Sequence, residues 1–335
     1  MKNSGPIIMD NTVFFVNDEP YCIWEANVRE RNLEFLNGID REYFVSLANI
    51  YADWMQADNL DSAQGKQIAV CIRMSYHHAL ETLFSLIGAT IQAADCVYGW
   101  MARCDSRNLR RILSRIEKSD PHLWTKTSAI PVSWPALGQI IFQCFMPGEE
   151  KQKTTAELFS AFWRRLSVEF LNPNHIDEFN SLKHGFRVRP GGFFVSVGPE
   201  TKYGVPPPKE AIKNIGGSRF GSTFFNVKKI QTKGQSLSSR RQSVNWSLER
   251  TLLHLQLIGM SIGNIVSALR IANGVAASEC RFDRPEDDAD FDKSWDFKPS
   301  VLSSNFDFVL DEEQIPRLTR EELVSRFSSP KTGQP

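Results

Sequence analysis

The sequence predicts a mainly α protein, a helical bundle with a small antiparallel β insertion that consists of a hairpin plus a third strand. Two observations carry this prediction. Apolar residues recur at helical spacing in several long segments, and most strand-like alternation is confined to about residues 186–230. The chain has 335 residues, of which 41% are hydrophobic and 23% charged, so its composition is that of a folded globular protein.

The helical segments are predicted from apolar periodicity and from residues that commonly begin or end helices. Asp40 can cap a helix, Gly185 and Gly274 are typical residues beyond a helix C-terminus, and Pro173 interrupts a helical pattern. The predicted helices cover about residues 20–36, 40–58, 62–97, 103–118, 137–145, 154–183 in two pieces, and 245–273. In the amphipathic segment 103–118, the positions expected to face inward are Leu109, Ile112, Leu113 and Ile116.

Strands are predicted where apolar residues alternate between turn signals. Pro190-Gly191-Gly192 separates two such segments and therefore predicts a hairpin. On its first strand, Arg187 and Arg189 share one face because side chains alternate along a strand. The predicted strands cover residues 12–16, 186–189, 193–197 and 222–230, and a long loop is expected at 198–221.

The net charge is zero, but the charges are unevenly distributed. Residues 1–60 carry four basic and ten acidic side chains, residues 61–274 carry 27 and 15, and residues 275–335 carry eight and 14. This arrangement indicates an anionic partner for the basic middle, or acidic ends that pack over it, and the second interpretation is favoured. We predict a helical domain over residues 1–274, with the β insertion at about 186–230, and an acidic, partly ordered C-terminal extension over 275–335.

The sequence gives no reason to expect a metal, a cofactor or a membrane partner. The six cysteines form no CxxC pair and no zinc-spaced cluster, and no phosphate-binding or dinucleotide-binding glycine motif is present. With no signal-peptide pattern at the N-terminus, we expect a cytoplasmic protein. Residues 251–269 form a run of 19 residues without a charge, but the polar groups within it favour a buried helix over a membrane span.

The first candidate site is the polar end of the predicted helix near residue 183. Asn180 and His184 are one turn apart and share a face, with Lys183 beside them and Arg187 and Arg189 following. This set can hold a phosphate, and the imidazole can exchange a proton near neutral pH. The alternative is structural: His184 and Lys183 cap the helix C-terminus.

The second candidate set lies on the long helix predicted over 62–97. Arg73 and His77 share a face of this helix, and His78 lies about 140° around the axis from Arg73. Arg73 can act as a phosphate clamp and a histidine as general acid or base, whereas the structural alternative is a histidine bonded within the core. Further basic residues that can contact nucleic acid lie on one side of the next helix: Arg107, Arg110 and Arg111.

Two of these stretches resemble the HEPN superfamily of small helical proteins. They are Tyr76-His77-His78-Ala79-Leu80-Glu81, preceded by Arg73, and Asn180-Ser181-Leu182-Lys183-His184-Gly185-Phe186. Arg73 and His78 match the Arg-x4–6-His spacing of that family, while Phe179 stands where the family has an arginine before Asn180. The resemblance covers about residues 60–186 and the late helix at 245–273.

The resemblance implies an all-helical bundle that often dimerises and binds RNA or another anionic partner. It also implies metal-independent RNA cleavage as a candidate activity, in a prokaryotic toxin–antitoxin or defence system, with Arg73, His77, His78, Asn180, Lys183 and His184 as the catalytic candidates. The alternative is a non-enzymatic interaction or scaffold protein, whose acidic tail and basic middle are docking surfaces within a homodimer or for a partner protein.

Overall fold

The structure is a computed structural model that describes residues 11–24, 27–55, 63–127, 131–200, 202–232, 234–311 and 318–328. Helices supply the body of the molecule, so the mainly α expectation holds at that level, while the strands are more extensive than predicted. The helices are α1 (Val28–Gly38), α2 (Tyr43–Met55), α3 (Ala63–Gln92), α4 (Val97–Arg103), α5 (Ser106–Glu117), α6 (Trp134–Phe142), α7 (Glu149–Phe170), α8 (Pro173–Lys183), α9 (Leu248–Ala272), α10 (Asp290–Asp296) and α11 (Arg320–Ser328).

The strands form three antiparallel sheets. The strands are β1 (Asn11–Val16), β2 (Glu19–Trp24), β3 (Val188–Pro190), β4 (Phe194–Val197), β5 (Lys213–Gly217), β6 (Gly221–Thr232), β7 (Gly234–Asn245) and β8 (Ser303–Asp311). Strand β1 pairs with β2 and β4 pairs with β5, while β3, β6, β7 and β8 form a four-stranded sheet in that order. The four-stranded sheet thus joins the predicted insertion to a strand from the acidic C-terminal segment.

Side-chain caps explain where several helices begin. Asp105 accepts a hydrogen bond from the backbone N–H of Asn108 at 2.7 Å at the start of α5, and Ser133 caps α6 in the same way. Asn172 caps α8 and Ser247 caps α9. Each cap satisfies a backbone donor that the first helical turn leaves free.

The core is built around α3 and α9, which pack against each other and are largely buried. The inward face predicted for α5 is confirmed, since all four of its apolar positions are buried. Helix α9 is long and apolar enough to cross a membrane by length and composition, and 78% of its most apolar stretch is buried within the protein. The largest fully buried side chains include Trp100, Trp163, Tyr76, Phe84, Phe142 and Phe159.

Two of the predicted helices are corrected. The helix predicted over 62–97 ends at Gln92, and the chain bends by 118° before α4. The Gln92 side chain accepts from the backbone N–H of Asn17 at 2.9 Å and donates to the Asn17 carbonyl at 3.1 Å, which ties the helix end to the β1–β2 turn. The second correction concerns the start of the helix predicted over 20–36, because residues 20–24 belong to β2 and pair with β1, which buries Phe14 and Val16.

The predicted hairpin does not form. Strand β3 pairs with β6, whereas β4 pairs with β5. The backbone N–H groups of Gly191 and Gly192 donate to the carbonyls of Gly221 and Arg219, both at 3.0 Å, so the intervening turn binds the entry to β6. A Cβ on Gly192 would lie 2.2 Å from the Ser218 carbonyl oxygen, so only glycine permits this close approach.

The third predicted strand is confirmed as β6, but it lies between two neighbours, β3 and β7. Strands β7 and β8 were not predicted. The sequence of β7 is polar, and the apolar residues of β8 lie in the C-terminal extension, where no strand was predicted. Phe224 and Val188 on the inner face of the sheet pack with Val70 of α3 and Leu182 of α8. This cluster fixes the sheet to the helical body and leaves its opposite face in solvent.

Candidate functional site

The first predicted set lies at the end of α8 and is open to solvent. Lys183 and His184 are exposed and Asn180 is half-buried. The backbone N–H of His184 donates to the Asn180 carbonyl at 3.0 Å, and Gly185 follows with φ = +88°. In the described structure the His184 ring makes no hydrogen bond. The helix end therefore brings Asn180, Lys183 and His184 together, but it supplies no second group that would orient the imidazole.

Lys183 is already neutralised by a carboxylate. Its Nζ lies 3.2 Å from Glu81 Oε2, and the same carboxylate accepts from Ser106 Oγ at the start of α5 at 3.1 Å. His78, exposed on α3, lines the same surface groove of about 370 Å³, in which Asp105 also lies. Two carboxylates make this groove a poor phosphate site.

The second predicted set is divided between two sides of α3. Arg73 and His77 are buried, with 6% and 0% of their surface exposed, whereas His78 faces the surface groove. The family spacing implied that Arg73 and His78 act together. The structure separates them, because a step of five residues on a helix turns the two side chains to different environments. Arg73, His77 and His78 do not form one site.

Arg73 instead pairs with Glu178 of α8, deep in the protein. Its Nη2 lies 2.8 Å and its Nε 3.2 Å from Glu178 Oε2. Ser222 of β6 donates to the other carboxylate oxygen. Burial disfavours the charged carboxylate, but the charge and hydrogen bonds of Arg73 and the nearby His77 ring hold the pKa of Glu178 well below its usual range.

A chain of side chains continues from Glu178 through two histidines. His77 Nε2 lies 3.3 Å from Glu178 Oε2, outside hydrogen-bond geometry, and His77 Nδ1 is 3.0 Å from Nε2 of His175. Burial lowers the pKa of His77, and burial together with the charges of His77 and Arg73 lowers the pKa of His175 well below its usual value. Both rings are therefore neutral at pH 7.

His175, Glu178 and Ser222 were not predicted as site residues from the sequence. His175 and Glu178 lie one turn apart on α8, so their shared face was a signal for a polar pair. Phe179 stacks on His77 with ring centroids 5.0 Å apart, and the Lys183 ammonium lies 5.2 Å from the centre of the Phe179 ring. It separates the buried histidines from the exposed helix end.

The predicted basic residues lie on two different surfaces. On α5, Arg107 and Arg111 are exposed and Arg110 is half-buried. Arg187 and Arg189 are exposed beside the four-stranded sheet, where Arg189 pairs with Thr223 of β6. The first surface adjoins the groove with its two carboxylates, and the second adjoins the solvent side of the sheet.

The solvent side of the sheet carries an aromatic and basic surface that was not predicted. One cross-strand row runs Phe225–Arg241–Phe306, and the next runs Val227–Ser239–Phe308. Phe225 is 62% exposed, and Phe306 and Phe308 are each 54% exposed. The Arg241 guanidinium lies 5.6 Å from the centre of the Phe306 ring. We call the six residues of these two rows the aromatic sheet face.

The aromatic sheet face contains no carboxylate. Asp307, which is next to Phe306 in sequence, points to the opposite side and pairs with Arg240 at 2.6 Å. The alternation of Phe306 and Phe308 with polar neighbours was the sequence signal that would have identified this strand.

Comparisons with known proteins give no match, whether against family models, curated proteins or solved structures. Within the ranges that the structure describes, no three His, Cys, Asp or Glu side chains come together as a group that could hold a metal ion.

Proposed function

We propose that this chain is a HEPN-like helical-bundle protein that binds single-stranded RNA on the aromatic sheet face. The observation that carries the proposal is the row Phe225–Arg241–Phe306, two exposed rings on either side of an arginine. Exposed aromatic rings on a sheet are stacking platforms for unpaired bases, each worth about 1–3 kcal/mol. A base-paired strand hides the faces of its bases, so the expected partner is single-stranded.

The charges around the sheet favour a nucleic acid over an acidic or neutral protein surface. Arg241 lies within the aromatic sheet face and Arg189 beside it, both exposed. Residues 201–250, which include β6 and β7, carry ten basic and two acidic side chains. Phosphate groups bind such a surface by releasing counterions, so binding is expected to weaken as the salt concentration rises.

We propose binding rather than cleavage. The predicted catalytic residues lie in three environments: Arg73 and His77 in the buried network, His78 in the acidic groove, and His184 in solvent. Arg73 is neutralised by Glu178. A general acid and base that act on one scissile bond must both lie within hydrogen-bond reach of it.

The test is fluorescence anisotropy with a short labelled single-stranded RNA at low salt, followed by a gel that detects cleavage. We expect F306A to weaken binding by about 5- to 150-fold, the loss of one stacked base. R241Q is expected to reduce the slope of log Kd against log salt by about 0.7, the value for one phosphate contact on a single strand.

The matched control is Y203A, because Tyr203 is an aromatic residue that is 98% exposed and lies outside the sheet. Single-stranded DNA of the same sequence shows whether the 2′-hydroxyl contributes. The proposal is wrong if F306A and Y203A bind RNA equally, or if the wild-type chain leaves the RNA unbound at low salt. Self-association that F306A abolishes would assign the aromatic sheet face to a second copy of the chain instead.

A further inference from the structure

A pocket of about 390 Å³ lies on the inner side of the four-stranded sheet, between α3, α7, α8 and the start of α9. We call it the interhelix pocket. Its lining includes Arg73, Tyr76, His175, Trp246, Arg250 and Trp295. The volume lies within the range of small-molecule sites. The proposed RNA-binding surface does not include this pocket.

Two helix N-termini meet at the interhelix pocket. The cap Asn172 and the first-turn residue His175 of α8 line it, as do the cap Ser247 and the first-turn residue Arg250 of α9. These helices have 11 and 25 residues, so each has a full macrodipole whose positive end lies at the pocket. The positive ends of two helices favour an anion.

Among the charged side chains that line the pocket, cations outnumber carboxylates. Four cations line the pocket, from Arg73, Arg165, Arg250 and Lys298, against two carboxylates, and Arg165 pairs at 2.6 Å with Asp292, which is not part of the lining. Glu178 neutralises Arg73 and Glu169 neutralises Arg250 at 2.7 Å. Lys298 is exposed at the rim, and its ammonium has no carboxylate partner in the described part of the chain.

The walls are aromatic and hold the arginines in place. The Arg250 guanidinium lies 4.5 Å from the centre of the Trp295 ring, and that of Arg73 lies 5.0 Å from the Tyr76 ring and 5.7 Å from the Trp246 ring. Aromatic rings and guanidinium planes both stack on a flat ligand. The pocket therefore combines flat apolar walls with positive charge.

Several buried polar atoms of the lining have no hydrogen-bond partner within the described residues. They include Trp246 Nε1, Trp295 Nε1 and His175 Nδ1. Trp246 and His175 are each 5% exposed. A buried donor without a partner costs about 1–3 kcal/mol, so a bound acceptor that reaches one of these atoms would stabilise the protein. Both indole N–H groups can only donate, which again selects an acceptor-rich ligand.

We propose that the interhelix pocket binds a small anion in which a planar aromatic ring carries a phosphate or carboxylate group. The ring packs against the indoles of Trp246 and Trp295. The anionic group lies toward Lys298, Arg250 and the two helix N-termini. This site is separate from the aromatic sheet face, because the two lie on opposite sides of the sheet.

The test is isothermal titration of the full-length chain with four probes. Adenosine 5′-monophosphate and indole-3-acetate combine a ring with an anion, adenosine supplies the ring alone, and inorganic phosphate supplies the anion alone. We expect at least one of the first two to bind at least about 10-fold tighter than either of the last two, as one charge-assisted hydrogen bond adds about 1.5–3 kcal/mol. Preference between the first two identifies a phosphate or a carboxylate ligand.

Two variants tie binding to the pocket. K298Q is expected to weaken the better probe by about 2- to 5-fold, as loss of an exposed ion pair does, and W246F by about 3- to 10-fold, as loss of one N–H donor does. The control K209Q removes an exposed lysine outside the pocket and should leave affinity unchanged. F306A should also keep the affinity, which separates this test from the RNA experiment.

The proposal is overturned if both ring-bearing anions bind more weakly than about 1 mM, or no tighter than adenosine and phosphate. It is also overturned if K298Q binds the better probe as tightly as K209Q. Circular dichroism checks the fold of W246F, and K298Q decides the outcome if W246F does not fold, because Lys298 lies at the exposed rim.

Discussion

Glu178 is the residue on which the buried polar chemistry converges. Its two oxygens accept hydrogen bonds from Arg73 of α3 and Ser222 of β6, and His77 lies beside them. The carboxylate therefore joins both elements to α8 at a position with no exposed surface. A buried charge is stable only when its partners are present, so this residue is sensitive to the loss of either one.

Replacing Glu178 tests this dependence. We expect E178Q to lower the free energy of unfolding by about 3–5 kcal/mol, because Arg73 would remain charged and buried without a counterion. The measurement is urea denaturation at pH 7.

The matched control is E81Q, which removes the other ion pair between α3 and α8. Lys183 in that pair is 44% exposed, so the expected loss is below about 1 kcal/mol. Equal losses in the two variants would contradict a structural role for the buried pair.

At the scale of elements, the corner between α3 and α4 depends on a close approach. Trp100 of α4 packs on Gly88 of α3, and a Cβ at that position would lie 2.3 Å from the indole ring. The indole N–H donates to the Phe15 carbonyl at 3.0 Å, so the ring cannot move without breaking a bond to β1. A glycine in the middle of a helix, normally destabilising, is required here.

The substitution G88A should therefore lower the unfolding free energy by about 1–3 kcal/mol through overpacking, although alanine is the better helix former. The control is G38A at the end of α1, where a Cβ would meet nothing within 4 Å. We expect G38A to be neutral or slightly stabilising. Thermal melts followed by circular dichroism compare the two, and a G88A protein as stable as wild type would show that the corner can relax.

Only part of the four-stranded sheet was predicted from the sequence. The alternation of residues 222–230 predicted β6. Its neighbour β7 was not predicted because its sequence is polar, and β8, which pairs with β7, was not predicted either. Strand β7 pairs over its whole length with β6, and β8 is contributed by a segment about 60 residues further along the chain. A strand such as β8 shows no local sign of a partner so distant in sequence, because the backbone hydrogen bonds of a sheet do not depend on the side chains.

At the scale of the whole molecule, the acidic C-terminal segment packs on the rest of the chain. Arg165 pairs with Asp292, Arg240 with Asp307, and Arg41 with Asp283. The first two contacts agree with the favoured interpretation of the charge distribution, that the acidic ends pack over the basic middle, whereas Arg41 belongs to the acidic N-terminal segment. The two rows of the aromatic sheet face contain no acidic residue.

Stability should depend on pH through the buried histidines. Burial lowers the pKa of His77, and it lowers the pKa values of His175 and His254 well below the usual value. The unfolded chain takes up protons below about pH 6.5 while the folded chain does not, so stability is present above that pH and is lost on acidification. We expect a loss of about 2 kcal/mol between pH 7 and pH 5 for each histidine that stays neutral.

Urea denaturation at both pH values measures this loss, and H254Q should reduce it by about 2 kcal/mol. The matched control H184Q, at an exposed position, should leave it unchanged. Equal pH dependence in wild type and H254Q would contradict a neutral buried ring at position 254. Glu178 contributes little in this range, because a glutamate of the unfolded chain takes up its proton only near about pH 4.3. Its lowered folded pKa makes stability fall further below that pH.

The sequence alone determined the features that are encoded within a few turns of chain. The helical segments, the inward face of α5 and the break before α8 follow from periodicity, capping residues and proline, because these act between residues three or four positions apart. The exposed end of α8 at His184 was predicted on the same basis. The family resemblance placed Arg73 and His78 together, and the actual turn of the helix separates them.

Only the tertiary structure decided the partners of these residues. Arg73 and Glu178 are 105 positions apart, and His77 and His175 are 98 apart, so no local pattern links them. The aromatic sheet face depends in the same way on β6 and β8 lying on either side of β7. Burial and long-range pairing arise from the packing of the whole chain, which is why the buried network, the interhelix pocket and the proposed RNA surface could be recognised only in three dimensions.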